Sequence, residues 1–272
     1  MKIRISLLAL LLIAVLTSCT SDVEIKGKFS VSSTQQVYFS KGNLQYQAST
    51  KTWRFAEHQW DFIGSSNKNI SPDYDGWIDL FGWGTGDNPT MSSRKDEYNE
   101  VDYENYSEWG DNIIDPDNKN NWRTLTHDEW DYVLYRRETI SGIRYAKAIV
   151  NGKRGVVIFP DDWRGEIWSV NDTNNANAKY IRNKITASDW KRKFESNGAI
   201  FLPAAGYRLL IYWNHEDKMT VGYSGFKGYY WTSTDDGSYV SRFEFSNSSL
   251  DIITGNVKDH GMSVRLVINA DK

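Results

Sequence analysis

A single cysteine, Cys19, serves a chain of 272 residues. No disulfide can form within such a chain, so its fold must be held by a buried core and by hydrogen bonds. The length allows one large domain with a sizeable core. The aromatic residues, 12 Trp, 16 Tyr and 11 Phe, all lie beyond residue 18. That load means either an unusually aromatic core or a surface that stacks on a ligand. Acidic side chains number 35 against 32 basic ones, for a net charge of -3 with no basic run. This balance argues against nucleic acid as a partner.

The position of the cysteine matters as much as its solitude. Lys2 and Arg4 precede an apolar run from Ile5 to Leu16. That run is short of the roughly 20 residues a spanning helix needs and reads as the h-region of a signal peptide. Leu16-Thr17-Ser18-Cys19 resembles the lipobox cleaved by bacterial lipoprotein signal peptidase. The expected organisation is a lipoprotein signal peptide over 1–18, a lipid-anchored linker over 19–28, and a single ectodomain over 29–270. Several acyl chains on Cys19 meet the two-signal requirement for stable anchoring. The membrane is then a partner that the protein is tethered to and does not span.

From Lys28 to Ala56 the apolar residues alternate with polar ones, predicting three or four antiparallel strands. Residues 57 to 84 interleave aromatics with glycines and predict a compact, partly buried irregular segment. Between Asp87 and Asp117 ten acids face only Arg94 and Lys95, which marks a loop insertion over about 87–121. "YAKAIVNGKRGVVIFP" holds two β runs around Asn151-Gly152, a pair suited to a type I′ hairpin turn. A helix is expected over roughly 187 to 196, with Thr186 and Asp189 at capping-box spacing and Gly198 as its stop. Strand-like runs "AIFLPAAGYR", "GYYWTST", "SYVSRFEFS", "LDIITG" and "MSVRLVI" fill the last third.

"WRTLTHDEW", residues 122 to 130, concentrates chemistry-bearing side chains. Thr126 and Glu129 have the spacing of a reciprocal capping box, and Trp130, Val133 and Leu134 recur on one helical face. The stretch is thus read as a helix start. His127 and Glu129, two residues apart, point in different directions. His58, His127, His215 and His260 have no recognisable ligand spacing. No cofactor is expected. Calcium is only weakly suggested by "DYDG" and "DPDNKNN", because Lys119 occupies a ligand position and no glutamate closes the loop.

Four segments in order carry a family resemblance: "WRTLTHDEW", "FLPAAGYR", "YYWTST" and "GMSVRLV". They look like the sulfatase-modifying, formylglycine-generating-enzyme-like branch of the C-type lectin fold and the Fibrobacter-type major paralogous domain. "FSKGNLQYQASTKTWRFAEHQWDFIG" and "GWIDLFGWGTG" are similar to a surface lipoprotein family of Bacteroidota. The resemblance implies an α+β, C-type-lectin-like fold: twisted antiparallel sheets whose terminal strands pair, two main helices and long loops. Trp122, Thr126, Glu129, Trp130 and Trp231 are its structural motif residues. Formylglycine chemistry needs cysteines that this chain lacks, and the Glu-Pro-Asn and Trp-Asn-Asp motifs of calcium-dependent lectins are absent.

The expectation is therefore a non-enzymatic outer-membrane lipoprotein, on the cell surface or the periplasmic face, that binds a glycan or a protein through C-terminal loops. Asp235, Asp236 and Tyr239 at a hairpin tip, with Arg242 behind, form the candidate ligand patch, and Trp213 is a candidate stacking residue. The alternative is a polysaccharide or cell-wall hydrolase using carboxylates of the 87–117 loop, which would need two of them roughly 5–9.5 Å apart.

Overall fold

The computed structural model describes residues 26–91, 106–114, 121–165, 169–213, 216–235, 239–255 and 258–270, and the side chains of 212–217 are not part of that description. The signal peptide, Cys19, most of the linker and most of the 87–121 insertion lie outside the described residues. No described helix is long and apolar enough to cross a membrane.

The architecture is mixed α+β, mostly antiparallel sheet with a few short helices. In chain order the strands are β1 (Phe29–Ser30), β2 (Gln36–Phe39), β3 (Leu44–Gln47), β4 (Thr52–Phe55) and β5 (Trp77–Ile78), followed by helix α1 (His127–Asp131). Then come β6 (Tyr145–Val150), β7 (Lys153–Ile158), β8 (Lys184–Ile185), helix α2 (Ala187–Asp189) and β9 (Ile200–Pro203). The rest are β10 (Tyr207–Trp213), β11 (Glu216–Gly222), β12 (Gly228–Asp235), β13 (Val240–Phe245), β14 (Leu250–Gly255) and β15 (Val267–Asn269). They form sheets ordered β1-β2-β15, β4-β3-β5, β8-β6-β7-β9, β10-β11 and β12-β13-β14. Strand β15 runs antiparallel to β2, with Val267 opposite Phe39, so the two ends of the domain are stitched into one sheet. The pairing of β6 with β8 is parallel.

Local signals become local structure where the chemistry is within a few residues. Asn151 (φ 47°) and Gly152 (φ 76°) supply the left-handed pair that closes the β6–β7 hairpin. Both limbs of the α1 capping box form: Thr126 Oγ1 accepts from the Glu129 amide at 3.2 Å, and the Thr126 amide donates to Glu129 Oε2 at 2.9 Å. Arg123 then grips the same carboxylate through two bonds of 2.8 and 2.7 Å. At Thr186 only the threonine limb forms, because the shorter Asp189 side chain bonds back to the Thr186 hydroxyl. Each helix leaves α geometry after one turn and continues as a π turn, Tyr132–Arg136 and Trp190–Phe194, and the second ends at Gly198 with φ 84°.

Among the described residues nine tryptophans are buried: Trp53, Trp60, Trp83, Trp109, Trp122, Trp130, Trp163, Trp190 and Trp231. The aromatic load is therefore core in the main. Trp130 stacks on Phe243 with centroids 5.0 Å apart and also meets Phe39, which welds α1 to β13 and to the terminal sheet. Buried Arg137 at the end of the α1 segment donates to the Val133 carbonyl at 2.7 Å and to Asp161 Oδ1 at 2.8 Å. Burial lowers its pKa to about 10, so it remains charged at physiological pH. Asp161 also accepts from the Ser30 amide and hydroxyl and from Gln36, tying β1 and β2 to the helix.

One sequence expectation differs from the observed elements, and one strand was not anticipated. Strand β11, which begins with the charged Glu216-Asp217-Lys218, pairs residue by residue with β10. "MSVRLVI" becomes regular strand only over Val267–Asn269. Met262 and Ser263 make isolated bridges to Phe81 and Tyr230, while Arg265 turns inward to Gln59 Oε1 at 2.8 Å.

Candidate ligand-binding face

The register of β12 against β13 slips between Trp231 and Asp235, so Thr232, Ser233 and Thr234 stand opposite the single residue Ser241. Such a bulge bends its strand and re-aims side chains. Here the bend is absorbed by the start of α1. The Ser233 amide donates to the Leu125 carbonyl at 3.0 Å, and the His127 amide donates to Thr234 Oγ1 at 2.9 Å. Beneath the bulge, Trp83 Nε1 donates to the Thr232 carbonyl and Trp231 Nε1 to the Phe81 carbonyl, so the indoles of two motif-region tryptophans set its position.

A cleft of about 190 Å³ opens where these elements meet, lined by His127, Asp128, Thr234, Tyr239, Ser241 and Thr254. Ser241 Oγ is its hub, 3.0 Å from Thr254 Oγ1 and 3.3 Å from His127 Nδ1. Tyr239 is 50% exposed at the rim. The wall thus offers three aliphatic hydroxyls, an imidazole, a carboxylate and the half-exposed phenol of Tyr239. A serine beside an imidazole suggests a nucleophile and base, but that chemistry needs the base oriented by a third group. Among the described residues no carboxylate hydrogen-bonds the His127 ring. Nor do three or more His, Cys, Asp or Glu side chains there gather into a metal-binding group; the "DPDNKNN" loop lies largely outside the described residues.

The predicted patch is only partly assembled. Tyr239 enters the cleft. Asp235 is engaged by Lys258 at 2.9 Å, whose ammonium also lies 4.8 Å from the Trp83 ring centroid. Arg242 alternates to the opposite face of β13 from Ser241 and pairs with Glu244 at 3.0 Å. Asp236 and the Trp213 side chain lie outside the described residues; the Trp213 backbone ends β10 opposite Glu216. The motif residues take structural positions, with Trp122 edge-on to Phe55 at 4.8 Å. Of the carboxylates assigned to the hydrolase alternative, Glu108 is consumed structurally, accepting from the Thr124 amide and hydroxyl and the Gly110 amide.

Sequence reasoning passed over His127 and Asp128 as cleft residues, having favoured the helix start over an acid–base or metal-ligand role for His127. It also missed an aromatic shelf. Tyr207 lies 5.1 Å from Tyr229, 5.9 Å from Tyr223 and 5.3 Å from His260. Tyr223 and Phe226 are 52% and 61% exposed, and Tyr223 sits at φ 56°, an uncommon conformation for an aromatic residue. Burial pushes the Tyr207 and Tyr229 hydroxyls above the ordinary tyrosine pKa, keeping them neutral donors. The run "YSGFKGYY" was the available signal. Comparison of the chain with protein-family models, with curated proteins and with solved structures found no match.

Proposed function

We propose that this chain is a lipid-anchored, non-enzymatic binding protein of the outer membrane, displayed at the surface or in the periplasm, with a C-type-lectin-like ectodomain of the Bacteroidota surface-lipoprotein kind. Its ligand is a glycan, or a protein presenting similar polar groups. The observation that carries this reading is the cleft at Tyr239. A half-exposed phenol ring beside the Ser241, Thr254 and Thr234 hydroxyls suits a ligand with an apolar face and many hydroxyls, since tyrosine supplies a flat apolar body and a polar tip. The pairing of β2 with β15 and the two short helices are compatible with the lectin-like fold. Cys19 within the lipobox supports the anchor.

The test is a glycan and polysaccharide array probed with the chain from residue 20 onward, with calcium and with chelator, beside Tyr239→Ala and Ser241→Val. Binding that ignores calcium and is lost in both variants is expected. An empty array, together with no crosslinked protein partner on intact cells, would overturn the proposal. Acylation is read separately, as a lipid-sized mass increment on the mature N-terminus that disappears in Cys19→Ser.

A further inference from the structure

The loop that joins β11 to β12, residues 223–227 ("YSGFK"), is firmly held yet shows its largest side chains to solvent. Its backbone is pinned from below. The Gly225 amide donates to the Ala204 carbonyl at 2.7 Å and the Gly206 amide to the Lys227 carbonyl at 2.9 Å. The buried Tyr180 hydroxyl donates to the Phe226 carbonyl at 3.3 Å. Tyr223 and Phe226 are nonetheless 52% and 61% exposed. Tyr223 also sits at φ 56°, a left-handed conformation that strains a non-glycine residue and is over-represented at ligand clamps. Rings displayed on a pinned turn are pre-organised to meet a ligand.

Each ring carries a cation. Lys227 Nζ lies 4.5 Å from the centroid of Tyr223, and the Arg154 guanidinium carbon 4.9 Å from that of Phe226. Arg154 also donates to the Gly225 carbonyl at 2.9 Å. Its neighbour on β7, Lys153, places Nζ 5.1 Å from the centroid of Phe62. Gly64 keeps Phe62 beside the loop, since a Cβ there would meet Phe62 at 3.8 Å and Ser224 Oγ at 3.5 Å. Three cation and ring pairs thus share one surface. Among the described residues none of these three cations pairs with a carboxylate. The acid next to Phe62, Asp61, turns instead to the His58 amide at 3.1 Å.

We propose that this surface binds an acidic polysaccharide, a chain of pyranose rings bearing carboxylate or sulfate groups. The C–H face of a pyranose packs on an aromatic ring, while its acidic group takes a charge-assisted bond from the cation beside that ring. Three such pairs suit a ligand that repeats both features along its length. A single-stranded nucleic acid also offers flat rings and anions. The net charge of -3 and the lack of a basic run oppose that partner, whose affinity comes mainly from neutralising phosphates. The surface adjoins the Gly228 end of β12 and the Tyr239 cleft the Asp235 end, ends that are roughly 20 Å apart at the rise of a strand. The two sites share no residue, and this one does not rest on the cleft.

The experiment immobilises the full chain in detergent and titrates it with polygalacturonate, dextran sulfate, neutral dextran and oligothymidylate, reading binding by biolayer interferometry. Saturable binding to at least one acidic polysaccharide is expected, and the tighter of the two assigns carboxylate or sulfate. Lys153→Gln/Arg154→Gln/Lys227→Gln is expected to weaken it about tenfold or more, and Tyr223→Ala/Phe226→Ala about threefold or more. Tyr239→Ala should bind these polymers as the parent chain does, which separates this surface from the cleft. No binding to either acidic polymer overturns the proposal, as does equal or tighter binding of dextran or oligothymidylate. Affinity unchanged in the triple cation variant, or lost in Tyr239→Ala, overturns it as well.

Discussion

Asp161→Ala should unfasten the terminal sheet from α1. The Arg137 side chain is fully buried, and among the described residues Asp161 is its only carboxylate partner, itself 18% exposed. Removing one member of a buried pair typically costs 3–5 kcal/mol, because an uncompensated charge remains. Here the guanidinium keeps backbone carbonyls of Val133, Arg144 and Phe159, which lowers the cost, while bonds from Ser30 and Gln36 are lost as well, which raises it. A net loss of about 3 kcal/mol follows. With a urea m value of about 2–3 kcal/mol/M, the unfolding midpoint should fall by roughly 1 M. Arg137→Met removes the charge and leaves Asp161 partly solvated with its Ser30 donors, so it should cost less, about 1–2 kcal/mol. Urea titrations followed by tryptophan fluorescence measure both. If Asp161→Ala shifts the midpoint by less than about 0.3 M, or costs no more than Arg137→Met, the buried charge is not what joins these elements.

Thr126→Ala removes an N-cap bond and should destabilise by about 0.5–2 kcal/mol. Because His127 is positioned by that turn, it should also weaken ligand binding at the Tyr239 cleft, and intact affinity would detach the cleft from the capping box. Lys147, buried and bonded among the described residues only to the carbonyls of Ala176 and Ser249, has its pKa lowered to about 8 from 10.5, by burial first and then by Lys179. The unfolded chain therefore binds more protons than the folded one between those values, so stability should rise as pH climbs from about 8 to 10.5. Lys147→Met should flatten that rise in urea midpoints taken across the range, and an unchanged slope would show that Lys147 is not its source. Gly198→Ala puts a Cβ 2.5 Å from the Gly27 Cα at φ 84°. A loss of about 2–3 kcal/mol is expected, and an unaltered melting temperature would mean that the crossing can separate at little cost.

What could be read from the sequence is what depends on neighbours along the chain. The Thr126–Glu129 box, the Asn151-Gly152 turn and the stop at Gly198 each rest on hydrogen bonds or φ preferences spanning a few residues, so residue type and spacing suffice. Phe243 and Phe245, two residues apart on β13, are both buried, as period-two alternation along one strand requires. Alternation also put Arg242 on the face opposite Ser241, yet its partner Glu244 and its absence from the cleft become visible only when the strand has neighbours.

The tertiary structure alone decided the rest. The cleft joins His127 to Ser241 and Thr254 across more than a hundred residues, and it exists because a bulge in β12 carries Thr234 to the amide of His127. A bulge leaves no periodic signature, being a mismatch between two strands rather than a pattern in one. The close crossing of the chain at Gly27 and Gly198 is likewise a contact that spacing cannot encode. Composition posed the question of twelve tryptophans as core or as surface. Only packing answered it, since burial is a property of what a residue is folded against.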